Sequence, residues 1–138
     1  MITLLDPREK MLLDLAHFYG IQVFFTDLST PGSECDAHIR RRRSILLRGG
    51  QTTAQRVSAL AHAIIHARRG DDGRQAPDVE ERVEEEAAAL IITASAYAAA
   101  ERVVGRDPRA LAQALEVTPS LVVAWQRQAT LEHPALAS

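Results

Sequence analysis

Ala61-His62-Ala63-Ile64-Ile65-His66 sets two histidines four residues apart inside a helical stretch that begins at Thr52-Thr53-Ala54-Gln55. Thr52 with Gln55 three residues on is a capping box, so the helix is expected from roughly Thr53 to Arg68. At about 100° per residue, Val57, Leu60, Ala61, Ile64 and Ile65 gather on one side and define the core face. His62 and His66 fall on the far side, in a row with Gln55, Ser58, Ala59 and Arg69. They are therefore expected to line a surface or a cleft. Two imidazoles one turn apart on one face can both reach a single Zn²⁺. On its own, such a pair is better explained as two exposed histidines.

The downstream sequence shifts that balance. A catalytic zinc needs a third protein ligand and an open position. Gly70–Pro77 is rich in turn residues and reads as a loop long enough to reverse the chain. Asp78-Val79-Glu80-Glu81 then caps a helix running to about Ile92, with carboxylates at Glu80, Glu81, Glu84, Glu85 and Glu86. Glu80 and Glu84 share a face, so one can bind metal while the other accepts the N–H of a ligating histidine. Glu85 reads as solvated surface. In the zinc-peptidase pattern H-E-x-x-H, the residue after the first histidine is the general base. Here that position is Ala63, a methyl group.

At this point the chain resembles a known family. His62-x-x-x-His66, followed by Val79-Glu80-Glu81-Arg82-Val83-Glu84-Glu85-Glu86-Ala87-Ala88-Ala89-Leu90-Ile91-Ile92, is similar to the ImmA/IrrE zinc metallopeptidases of bacteria, prophages and mobile elements. The likeness spans roughly Asp6 to Gly105. It implies His62, His66 and Glu80 as ligands of Zn²⁺, and Glu84 as the acid behind a ligating ring. It implies a cytoplasmic endopeptidase that cleaves a helix-turn-helix repressor, in a form disabled at Ala63, whether by substitution or as a natural pseudoenzyme. The alternative is a non-catalytic regulator that binds such a transcription factor. Ser44-Ile45-Leu46-Leu47 would offer an edge strand to an extended substrate. Tyr97 and His38 are candidate oxyanion donors on residue type alone.

The remaining segments supply the frame. Asp6-Pro7-Arg8-Glu9 is a helix start with a capping residue, proline at the first position and glutamate three after the cap. Leu12, Leu13, Leu15, Ala16 and Phe18 are its expected buried face, ended by Gly20. Strands are expected at Ile21–Phe25, around Cys35–Ile39 and at Ser44–Leu47. Thr93 restarts a helix through Val104, and Asp107-Pro108 and Thr118-Pro119 start two more. The expected fold is α+β: a small three-stranded antiparallel or mixed sheet packed on a helical core containing the H-x-x-x-H helix, plus two C-terminal helices. One domain covers 1–138, with 1–105 as core, 106–130 as a helical pair and 131–138 as a tail.

Composition excludes little but constrains partners. The chain has 138 residues, 25% of them charged, and a net charge of −2, which gives no electrostatic case for nucleic acid or membrane. Cys35 is the only cysteine, so no internal disulfide is possible and a reducing interior is expected. Arg40–Arg43 is a dense basic run that reads as a solvated hairpin tip, the alternative being an electrostatic handle for an acidic substrate segment or for DNA near the repressor. Ala110–Trp125 resembles a helix-turn-helix, yet its second helix offers Ser120, Leu121, Val122 and Val123 where base-reading side chains belong. Two helices completing the fold explain it better, with docking of a partner repressor next, and Trp125 is expected inside. Oligomeric state is not legible.

Overall fold

The structure, a computed structural model, describes residues 6–26, 37–39, 44–71 and 75–132, with the side chains of 25, 26, 37–39, 46, 48, 131 and 132 outside that description. In chain order it contains α1 (Pro7–Phe18), β1 (Gln22–Thr26), β2 (Ala37–Ile39), β3 (Ser44–Arg48), α2 (Thr53–Arg69), α3 (Pro77–Ile91), α4 (Ala94–Val104), α5 (Pro108–Leu115) and α6 (Pro119–Glu132). The class is α+β, and helix dominates it. β1 runs parallel to β3, Gln22 opposite Ser44 through Thr26 opposite Arg48. Three-residue β2 pairs antiparallel on the other side of β3, with His38 opposite Ile45.

That order, β1-β3-β2, corrects one expectation. Ser44–Leu46 is hydrogen-bonded on both sides and is not an edge. Its side chains serve the core instead: Ile45 and Leu47 share a face and are fully buried, and Ser44 is buried with them. The side chain of Leu46 lies outside the described residues, as do Cys35, Arg40–Arg43 and 133–138.

Local chemistry sets the helix ends. Asp6 Oδ1 accepts the Arg8 N–H at 2.8 Å, with Pro7 at the first position. Both halves of the Thr52–Gln55 capping box form, at 3.0 and 3.2 Å. Gly70 ends α2 in the left-handed region at φ +81, with its N–H on Ala67 O and the Asp71 N–H on His66 O. This is a Schellman turn, for which glycine pays no Cβ penalty. The expected Asp78 cap on α3 is displaced: Ala76 is the N-cap without a side-chain bond, because Pro77, with its preset φ and missing N–H, takes the first helical position.

Two α1 expectations change. Glu9 does not close a capping box; it is buried and its Oε1 meets Arg56 Nη2 of α2 at 2.9 Å. Arg56 also donates to Gln51 O at 2.6 Å, so one guanidinium ties α1, α2 and the chain entering α2. Phe18 is 80% exposed. Leu12 and Ala16, four apart, meet the core, and Phe18 lies two residues, about 200°, further round the helix.

α2 is the central helix, packed by α1, α3 and the sheet. Burial on it extends beyond the expected core face to Ser58, Ala63 and His66. The middle of the far side, at Ser58 and His66, is thus covered by a neighbour, while Gln55 and Arg69 at its ends are exposed. α3 and α4 meet at an 89° elbow, where Ile92 is extended and Thr93 caps α4 through the Ala96 N–H. α6 lies against α3 and α5. Leu111, Leu121 and Val122 have no exposed surface, and the Trp125 indole, 8% exposed, donates to Ile92 O at the elbow. The helix-turn-helix likeness therefore spends its second helix on the core. Among the described residues, no single helix is long and apolar enough to cross a membrane.

Candidate metal centre

α2 and α3 place the expected ligands together. His62 Nε2 lies 3.0 Å and His66 Nε2 2.7 Å from the same oxygen, Glu80 Oε1. Among the described residues, these three form the group able to hold a metal ion, with one ligand atom from each within 4.8 Å of the others. A tetrahedral zinc with bonds near 2.0–2.1 Å separates its ligands by about 3.3 Å, so the two contacts to Glu80 Oε1 need lengthen by only tenths of an ångström to admit the ion. The imidazole rings meet edge-on, with centroids 4.9 Å apart.

Each ligand is also gripped from behind. Glu84 Oε1 faces His62 Nδ1 at 3.4 Å, across from Nε2. Asp71 Oδ2 faces His66 Nδ1 at 3.0 Å and accepts from Arg69 Nε at 3.0 Å. Glu80 Oε2 accepts the Gln75 backbone N–H at 2.8 Å. Both rings thus meet carboxylate oxygens on both nitrogens. A neutral imidazole carries one N–H, so this arrangement needs an extra proton per ring or a shared cation at Glu80 Oε1. The donor set of two imidazoles and one carboxylate is that of a zinc site, and it fits.

Electrostatics agree with the geometry. Burial works against charge on His62, but Glu84 and Glu80 outweigh it and raise its pKa above 6.5. Burial disfavours the Glu80 carboxylate, yet the Gln75 N–H and the two histidines hold its pKa below 4.5. Asp71 is likewise desolvated, and His66 and Arg69 overcome that to lower its pKa. His66 is the more enclosed ring, its side chain 7% exposed against 25% for His62.

Other expected residues are placed differently. Ala63 has no accessible surface, so its methyl group is part of the packing. Glu85 is not solvated surface; it shares Arg127 of α6 with Glu81, at 3.3 and 3.1 Å. α3 therefore splits its acids, Glu80 and Glu84 toward α2, Glu81 and Glu85 toward α6. Tyr97 stacks on Trp125 and receives a hydrogen bond from Gln126, and it lines a separate cleft of about 540 Å³ between α4 and α6. None of those partners belongs to the metal group. The side chain of His38 lies outside the described residues.

Asp71 and the Gln75 N–H were not foreseen. The available signal was an acid directly after the glycine that ends the histidine helix. No protein-family model matches the chain, and no curated protein or solved structure matches it either.

Proposed function

We propose that this chain is a zinc-binding domain of the ImmA/IrrE metallopeptidase type whose hydrolytic step is disabled at Ala63. The observation that carries the reading is the convergence of His62 Nε2, His66 Nε2 and Glu80 Oε1 from two antiparallel helices. Zinc bound there supplies a Lewis acid that polarises a peptide carbonyl and acidifies water. His62, His66 and Glu80 hold it, and Glu84 keeps the His62 ring turned with Nε2 inward. Residue 63 follows the first ligand, where a carboxylate takes up a proton and returns it to the leaving amine. A methyl group does neither. The substrate of a form carrying that carboxylate is a helix-turn-helix repressor, by the resemblance alone.

The burial of Ala63 favours a second reading, a non-catalytic regulator that keeps the metal as a structural pin and binds its transcription factor without cutting it. Ala63→Glu separates the two. Zinc-loaded A63E is expected to cleave a helix-turn-helix repressor at least about 10²–10⁴-fold faster than the parent chain, read by gel and mass spectrometry. A folded, zinc-loaded A63E that leaves the repressor intact removes the peptidase reading. Failure of the unaltered chain to take up zinc removes both.

A further inference from the structure

Asp71 has no part in the function proposed above, and two bonds tie it to one residue. Its backbone N–H donates to the carbonyl of His66 at 3.0 Å, and its side chain meets the Nδ1 of the same histidine at 3.0 Å. The first bond exists because Gly70, at φ +81, folds the chain back over the last turn of α2. The second follows from the first, since the turn delivers the Asp71 side chain to the rim of the His66 ring. Arg69 Nε donates to the same Oδ2 at 3.0 Å and so also holds the carboxylate.

We propose that Asp71 is the positioning residue for His66: it accepts the Nδ1–H and so points the Nε2 lone pair at the metal position. This rests on the zinc-binding reading above. The other histidine has its acid on a different helix, at 3.4 Å, so its orientation waits for α3 to dock. His66 needs only its own helix end. One of the three ligands is thus set within six residues of chain. Charge agrees: Glu80, Glu84 and Asp71 supply three negative charges and Arg69 one positive, a deficit that one divalent cation balances.

The test uses the full chain and the variants Asp71→Ala and Asp71→Asn, with circular dichroism establishing that each is folded. Zinc affinity is measured by competition with a chromophoric chelator. D71A is expected to weaken zinc about 10–100-fold, the range for loss of a carboxylate behind a ligating histidine. D71N, whose amide oxygen still accepts an N–H, is expected to recover part of that loss. Proton NMR supplies the second readout, a downfield His66 Nδ1–H resonance present in the parent and D71N and absent in D71A. A capping role alone would move neither quantity. Zinc affinity of folded D71A within about twofold of the parent, or an unchanged Nδ1 proton, overturns the proposal. If the parent takes up no zinc, the metal reading falls, and the Nδ1 resonance of the metal-free protein still decides the case for Asp71.

Discussion

The helix pairs α2–α3 and α5–α6 differ in what their facing surfaces hold. Each is two helices joined by a short connection, and each carries a pattern known from function. Between α2 and α3 the facing side chains include His62, His66, Glu80 and Glu84, which converge. In α5–α6 the positions that would read DNA are Leu121 and Val122, which have no exposed surface, and Ser120 and Val123, which are exposed. Residues 107–138 also carry two arginines against three acids. The lesson is directional. A spacing means something only when its side chains face a space that a ligand can enter.

Breaking the first pair should have the largest effect. Glu80→Ala removes the oxygen on which both histidines converge, so zinc should no longer raise the melting temperature. With zinc at 1,000 times the parent's Kd, that stabilisation is about 4 kcal/mol, and E80A should lose nearly all of it. A full zinc-induced shift in E80A would contradict the site. The second pair should answer through stability alone. Leu121→Ala is expected to cost about 3 kcal/mol in urea unfolding, as a buried cavity does, and to leave zinc affinity unchanged. A cost near zero would put α6 back among the candidates for an outward-facing helix.

The smallest effect sharpens the contrast through pH. In metal-stripped protein, Glu80 and Asp71 have lowered pKa values, so their contribution is present above 4.5 and 3.8 and lost as pH falls through the folded values. His62 is raised, so its contribution is complete below 6.5 and lost as pH rises through its folded value. Site-derived stability of the stripped protein should therefore peak between those limits. Zinc reverses the trend, because it binds neutral imidazoles and its stabilisation grows with pH. Melting curves with and without zinc from about pH 5.5 to about pH 8 should diverge; a constant gap would speak against histidine ligation.

What could be read from the sequence was local. Asp6, Thr52, Thr93 and Asp107 cap helices through bonds spanning two or three residues, and each sits where its neighbours in sequence require. The three residues positioned to hold a metal ion were legible because i,i+4 spacing and a reversing loop need little tertiary knowledge. Glu9 was misread because its partner, Arg56, is 47 residues away. The central place of β3 depends on which strands meet, and periodicity does not record that. Asp71 was missed for a different reason: turn composition marks where the chain bends and says nothing of what the bend delivers.

The indole at the α3–α4 elbow gives this chain a built-in optical gauge. Trp125 is the only tryptophan; it stacks on Tyr97 with centroids 4.0 Å apart, and Tyr97 is the one residue that α4 buries. Emission at its wavelength therefore registers whether that arm is seated, with no label attached. Zinc titrations followed by fluorescence would then tell whether filling the groove tightens the far arm or leaves it untouched.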